Sequence, residues 1–220
     1  MDALEARPDA AVCFHPVTVH WENGNKPDSI FPSPKNRFMK EELSLDDLLK
    51  RNFIQTNSVM YRWRFHEDSL DLIPDRILPS DWFLHLLHTQ KGKIIFLPNN
   101  MSLYRRHGGG IWYGASTEKN WFRKCAILQV RFYESMEKVF KVDCFKEKQE
   151  LVVQSYTFAS IHEDKEWLKQ LQQIWPLEPD KLCFSKWTFV WLYILYLFSW
   201  GKRKELIKAE RRLVKKCLRI

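Results

Sequence analysis

The stretch from Pro79 to Trp112 constrains the fold more than any other part of the chain. Within it Ser80 is a good N-cap, Leu84, Leu87 and His88 recur at helical spacing, and Gly92 stands where a C-cap glycine would. This predicts a helix of about three turns. Ile94 to Leu97 is a short, β-branched apolar run that reads as a buried strand, and Ser102 to Arg106 reads as a second extended piece ahead of Gly108, Gly109 and Gly110. Asp81 therefore falls at the mouth of a helix and His107 at a strand end.

Upstream, Ala11 to Phe14 starts a strand, and Val17 to Trp21 alternates up to an Asn23-Gly24 turn, as a hairpin would. Prolines at 27, 32 and 34 make Lys26 to Phe38 irregular and surface-exposed. Ser44 to Lys50 reads as a short helix, with Asp46 and Asp47 offsetting the helix dipole in its first turn. Phe53 to Tyr61 reads as a strand, and the short polar groups of Thr56, Asn57 and Ser58 suit either hydrogen bonding to a sugar or a strand-end turn. Arg62 and Arg64 are candidates for phosphate or for solvent. Downstream, apolar residues at nearly helical period run from Thr117 to Phe140, Leu151 to Ser160 is ambiguous between strand and buried helix, and His162 to Ile174 reads as a helix stopped by Pro176.

Several blocks in order resemble the acceptor-side half of family 2 glycosyltransferases: the Asp81-Trp82 pair opening a helix, the Gly92-Lys93-Ile94 turn into a strand, then Tyr104-Arg105-Arg106-His107 and glycines before Ile111-Trp112. Arg7 to His15 and Leu48 to Arg62 extend the resemblance, which fades after about Ala115. The fold class it implies is α/β, a partial GT-A-like mixed sheet with flanking helices over residues 1–115, followed by a helical extension over 116–220. The implied reaction is transfer of a sugar from a nucleotide-sugar donor to a glycan or lipid-linked acceptor. In that family the residue matching Asp81 is the catalytic base. The resemblance further implies acceptor contacts from Thr56, Asn57, Ser58, Trp82 and Trp112. Arg105, Arg106, His107, Gly108 and Gly109 would lie near the diphosphate or metal, with His107 the metal neighbour. A divalent ion, Mn or Mg, is expected in an intact enzyme but not on this chain alone, because the nucleotide-binding half with its Asp-X-Asp motif does not precede Met1. That half could be encoded separately. The alternative is a non-catalytic remnant or accessory protein that binds a membrane or a partner.

The chemistry suits these residue types. Inverting transfer needs a base for the acceptor hydroxyl and positive charge or N–H groups for the departing diphosphate. A carboxylate at a helix N-terminus and a glycine loop after a cationic strand offer both, although helix capping and turn chemistry explain the same residues. A competing pattern is Asp81, His85 and His88 at i, i+4 and i+7, one helix face on which a metal such as zinc could bind.

Charge and composition narrow the partners. The chain carries a formal net charge of +8, ten Trp and fifteen Phe in 220 residues. Nine Lys or Arg against two Glu crowd Gly201 to Ile220, so nearly all the imbalance sits in the tail, and nucleic acid is disfavoured because its footprint would spread over a folded face. Phe184 to Trp200 has eight aromatics in seventeen residues, too short to span a bilayer comfortably. Joined to the basic amphipathic tail, it suits either a core helix or peripheral attachment to an anionic membrane leaflet. Met1 to Asp9 lacks an apolar signal segment, and the five cysteines, at 13, 125, 144, 183 and 217, show no Cys-X-X-Cys spacing. Both point to a reducing, cytoplasmic-side location with no disulfide framework.

Overall fold

In the computed structural model, residues 2–24, 26–33, 39–65, 73–110 and 118–175 are described. The chain is α/β, and it divides into two compact units, Met1–Ser116 and Thr117–Ile220. The aromatic segment 184–200, the basic tail and Trp112 lie outside the described residues.

The first unit is built on two mixed sheets. After α1 (Asp2–Glu5), strand β1 (Ala10–Phe14) occupies the middle of the first sheet, and all five of its residues are buried. Its neighbours are β6 (Lys93–Phe96), parallel to it, and β5 (Val59–Tyr61), antiparallel, while the two-residue β4 (Glu42–Leu43) pairs with the far side of β6. Because successive side chains leave opposite faces, Val12 and Ile94 point to one side, and Cys13 and Ile95 pack with Leu4 and Ala10 on the other. A parallel pair covered on both faces needs such a continuous apolar run. The second sheet continues from the ends of the first: β2 (Val17–Trp21) lies between an antiparallel β3 (Ser29–Phe31) and a parallel β7 (Ser102–Arg106).

Helix α3 (Ser80–Thr89) packs on β1, burying Phe83, His85, Leu86, Leu87, His88 and Thr89. It differs from expectation at both ends. Pro79, not Ser80, holds the N-cap position and makes no side-chain cap bond. Gly92 is not a left-handed C-cap. A Cβ there would sit 2.5 Å from the Asp9 carbonyl and 2.9 Å from the Ala11 amide, so glycine is required by the close pass of the α3–β6 turn against β1.

Helix α2 (Leu45–Lys50) starts at a Ser44–Asp47 capping box, which gives Asp47 a structural role. Lys26 to Phe38 is less irregular than its prolines imply, since β3 forms inside it, exposed throughout. The strand expected over Phe53 to Tyr61 is mostly something else: Thr56–Ser58 is a 3-10 turn, and only Val59–Tyr61 pairs. Three consecutive short polar residues satisfy their backbone locally more easily than in a ladder. Arg62 and Arg64 face neither phosphate nor open solvent; they donate to the carbonyls of Leu4 and Ala10, and of Pro8 and Lys91, strapping the edge of the sheet.

The second unit is helical among its described residues: α4 (Glu118–Phe140), α5 (Phe145–Ile161) and α6 (Lys165–Ile174). The ambiguous Leu151–Ser160 run is thus helix. Tyr156, Ala159, Trp167 and Leu171 form its core cluster, and the Tyr156 hydroxyl donates to the Trp175 carbonyl at 2.8 Å. No helix among the described residues is long and apolar enough to cross a membrane. Cys13, Cys125 and Cys144 are buried and in no disulfide.

Candidate functional site

The parallel pair β1 and β6 ends at Phe14 and Phe96, and the 3-10 turn lies at that edge: the His15 amide donates to the Ser58 carbonyl at 3.2 Å, and Val59 pairs with Phe14. Helix α3 begins at the same edge. The Thr56 hydroxyl donates to Oδ2 of Asp81 at 2.5 Å, and the Trp82 amide donates to Oδ1 at 2.8 Å. A partly exposed carboxylate thus stands in the first turn of a helix, outside the carboxyl ends of two parallel strands, the general position for ligands in open α/β sheets. Thr56 holds this carboxylate rather than reaching outward.

The other residues expected at an acceptor site divide. The Asn57 amide donates to the Leu103 carbonyl at 3.1 Å, tying the turn to β7. Ser58 is buried, and its hydroxyl is spent on the Gln55 carbonyl at 2.8 Å, so it is not an acceptor ligand. Trp82 is part-buried, with its indole N–H on the Leu48 carbonyl at 3.0 Å, and joins α3 to α2.

Behind Asp81, one and two turns along α3, stand His85 and His88, both fully buried. The Tyr61 hydroxyl is hydrogen-bonded to Nδ1 of His85, and the Tyr61 ring stacks on His88 with centroids 4.0 Å apart. Trp63 and Phe65 close around His88. Burial pushes both imidazoles down to about 4, so they are neutral at pH 7; the Asp81 charge opposes this at His85. Burial, then the Asp81 charge, pushes the Tyr61 phenol up. His85 Nε2 and both nitrogens of His88 lack hydrogen-bond partners. The two histidines belong to an apolar box beneath the carboxylate, not to a zinc face shared with Asp81. Tyr61 was not singled out from the sequence; the signal was the i+4 step from Asp81 to His85, which sets the ring under the carboxylate.

At β7 the expected cationic cluster does not converge. Adjacent strand residues point to opposite faces, so Leu103 and Arg105 are exposed on one face while Tyr104 and Arg106 share the other with Val19 and Trp21 of β2. Arg105 is held by Glu22 at 3.1 Å. Arg106 lies over Trp21, its guanidinium carbon 4.8 Å from the ring centroid, and over Tyr104 at 5.6 Å. His107 follows the strand and opens a turn closed by the Gly110 amide on its carbonyl at 3.0 Å. Gly108 and Gly109 have ordinary φ; a notional Cβ on Gly108 meets nothing within 4 Å and one on Gly109 makes ordinary contact with the His107 ring at 3.4 Å, so neither conformation nor crowding requires glycine. The hydrogen bonds join Asp81 to the start of β7 at Leu103; His107 is four residues on, roughly 13 Å along an extended strand.

Among the described residues no three His, Cys, Asp or Glu side chains gather as a metal site. His107 is a single donor, which does not fit a divalent ion.

Uncharacterized proteins of Mycobacterium bovis and of two Mycobacterium tuberculosis strains are each 49% identical to this chain over 119 residues, 54% of this chain and 32% of the relative. The chain thus spans about a third of the length of the curated relatives it matches. No family profile and no solved structure matches the chain.

Proposed function

We propose that this chain is the acceptor-side part of a family 2-like glycosyltransferase, with Asp81 the base that receives the acceptor proton. The acceptor oxygen bonds to the anomeric carbon, the bond from that carbon to the diphosphate oxygen breaks, and the proton ends on the Asp81 carboxylate. The observation that carries the reading is the position of Asp81: first turn of α3, outside the carboxyl ends of β1 and β6, fixed by the Thr56 hydroxyl at 2.5 Å. Each Asp81 oxygen accepts one bond, Oδ2 from Thr56 and Oδ1 from the Trp82 amide, and keeps a further lone pair for a substrate hydroxyl. Thr56 then acts as a positioning residue, and the surface between Asn57 and Leu103 borders the acceptor. Residues His107 to Gly109 remain the proposed neighbours of the diphosphate. The basic aromatic segment 184–220 is proposed to hold the protein at an anionic leaflet.

The test is a transfer assay over a panel of nucleotide-sugars and acceptors with Mn²⁺, on wild type and Asp81→Asn. Loss of about a hundredfold or more in turnover, with acceptor binding little changed, is expected of a general base. Unchanged transfer by Asp81→Asn removes the assignment. Calorimetry of the 220-residue chain should give weak or no donor binding; tight binding would relocate the donor pocket into this half. Deletion of 184–220 should abolish flotation with anionic liposomes.

A further inference from the structure

The far end of the second sheet carries two cations on one indole. Lys26 Nζ lies 4.5 Å from the centroid of Trp21, and the Arg106 guanidinium lies 4.8 Å from the same centroid. The neighbouring charges are already matched, His20 with Asp28 at 2.9 Å and Arg105 with Glu22 at 3.1 Å. Arg106 and Lys26 have no carboxylate within ion-pair distance among the described residues, and Nε of Arg106 is buried without a hydrogen-bond partner. The strand register decides this arrangement, because Trp21 pairs with Arg106 across β2 and β7. Beside it runs the His107 turn, where a notional Cβ on Gly108 meets nothing within 4 Å.

An indole satisfies a cation only weakly at an exposed site. Two like charges on one ring, with an unmet guanidinium N–H, offer donors that suit an anion. Magnitude chooses the anion. Two uncompensated cations match a group bearing close to two negative charges, which a phosphomonoester does at pH 7 with its three terminal oxygens, and a phosphodiester or a carboxylate does not.

We infer that Lys26 and Arg106, on the Trp21 indole, form a binding site for a terminal phosphomonoester. This site stands apart from the Asp81 carboxylate and does not depend on the base assignment. The phosphomonoester can belong to a free phosphorylated sugar or to a lipid headgroup, and the probes separate the two.

The experiment follows the Trp21 indole N–H by NMR in the full chain, assigned with Trp21→Phe, during titration with inorganic phosphate, glycerol 2-phosphate, dimethyl phosphate and acetate at constant ionic strength. Phosphate and glycerol 2-phosphate should shift the signal saturably, about tenfold more tightly than dimethyl phosphate or acetate, and the preference should shrink below about pH 6 as the phosphate takes its second proton. Lys26→Gln should weaken binding about tenfold, as should Arg106→Gln; Arg106→Lys should recover less than half of that loss, because it restores the charge without the fork. Arg106 stacks within the sheet, so if its variants fail to fold, exposed Lys26 decides alone. Asp81→Asn should leave the titration unchanged. Vesicles of phosphatidylcholine with phosphatidic acid, compared at equal surface charge with phosphatidylglycerol, identify the source: a phosphatidic acid preference sensitive to Lys26→Gln assigns a lipid headgroup, and its absence alongside binding of glycerol 2-phosphate assigns a soluble ligand. Equal affinity for monoester and diester, or an unaltered titration in Lys26→Gln, overturns the proposal.

Discussion

Two histidines on one buried helix face set the acid sensitivity of the first unit. His85 and His88 are fully buried, and burial holds both well below the usual histidine value, at about 4. The unfolded chain takes up protons near pH 6.5 while the fold resists until about pH 4, so stability is full above pH 6.5 and falls as pH drops through that window. The groups facing them are Asp81, Tyr61, Trp63 and Phe65, and of these only Asp81 favours the charged form. Each ring stands to remove of order 2–3 kcal/mol. Denaturant midpoints measured between pH 7 and pH 4 should decline, and His88→Phe, which keeps the stack on Tyr61, should flatten part of that decline. At Gly92, alanine would drive a Cβ to within 3 Å of two backbone atoms of β1 and its entry, which cannot rotate away. Gly92→Ala should cost about 3 kcal/mol in equilibrium unfolding.

Elements here are joined by side chains that finish backbone hydrogen bonding at their ends. The Asp164 side chain caps α6 through the Trp167 amide at 3.2 Å and meets Arg123 of α4 at 3.4 Å, so one carboxylate both starts a helix and ties it to another. Asp164→Ala should lower stability by about 1–2 kcal/mol, and Asp164→Asn, which keeps the cap and loses the charge, by about half as much, read by thermal unfolding. In the first unit the 3-10 turn has a comparable place between elements: Ser58 faces its own backbone, Asn57 reaches β7, and Thr56 reaches α3. A turn so tied is a rigid mount for a carboxylate. Thr56→Val should therefore disturb the Asp81 site with little loss of global stability, because both partners are at the surface; crystallography of the variant, or the transfer assay, checks it.

For the whole molecule, the division at Ser116 and Thr117 predicts that residues 1–116 fold alone, since β1 and α3 already give that unit a buried core. Cooperative unfolding of that fragment, with the Gly92→Ala penalty intact, is the expected outcome. What the sequence determined by itself was whatever depends on near neighbours: the apolar runs of β1 and β6, the alternation and Asn-Gly turn after β2, the capped α2, and the long amphipathic α4 follow from local period and propensity. It also put Asp81 in the first turn of a helix. Contacts between distant residues were decided only by tertiary structure. Strand register sent Arg105 and Arg106 to opposite faces and laid Arg106 on Trp21, the pass of one backbone over another made Gly92 necessary, and the meeting of the Thr56 turn with α3 gave Asp81 its partner. Each depends on which strands become neighbours, and local sequence carries no measure of that, because a shift of one residue in pairing reverses every face.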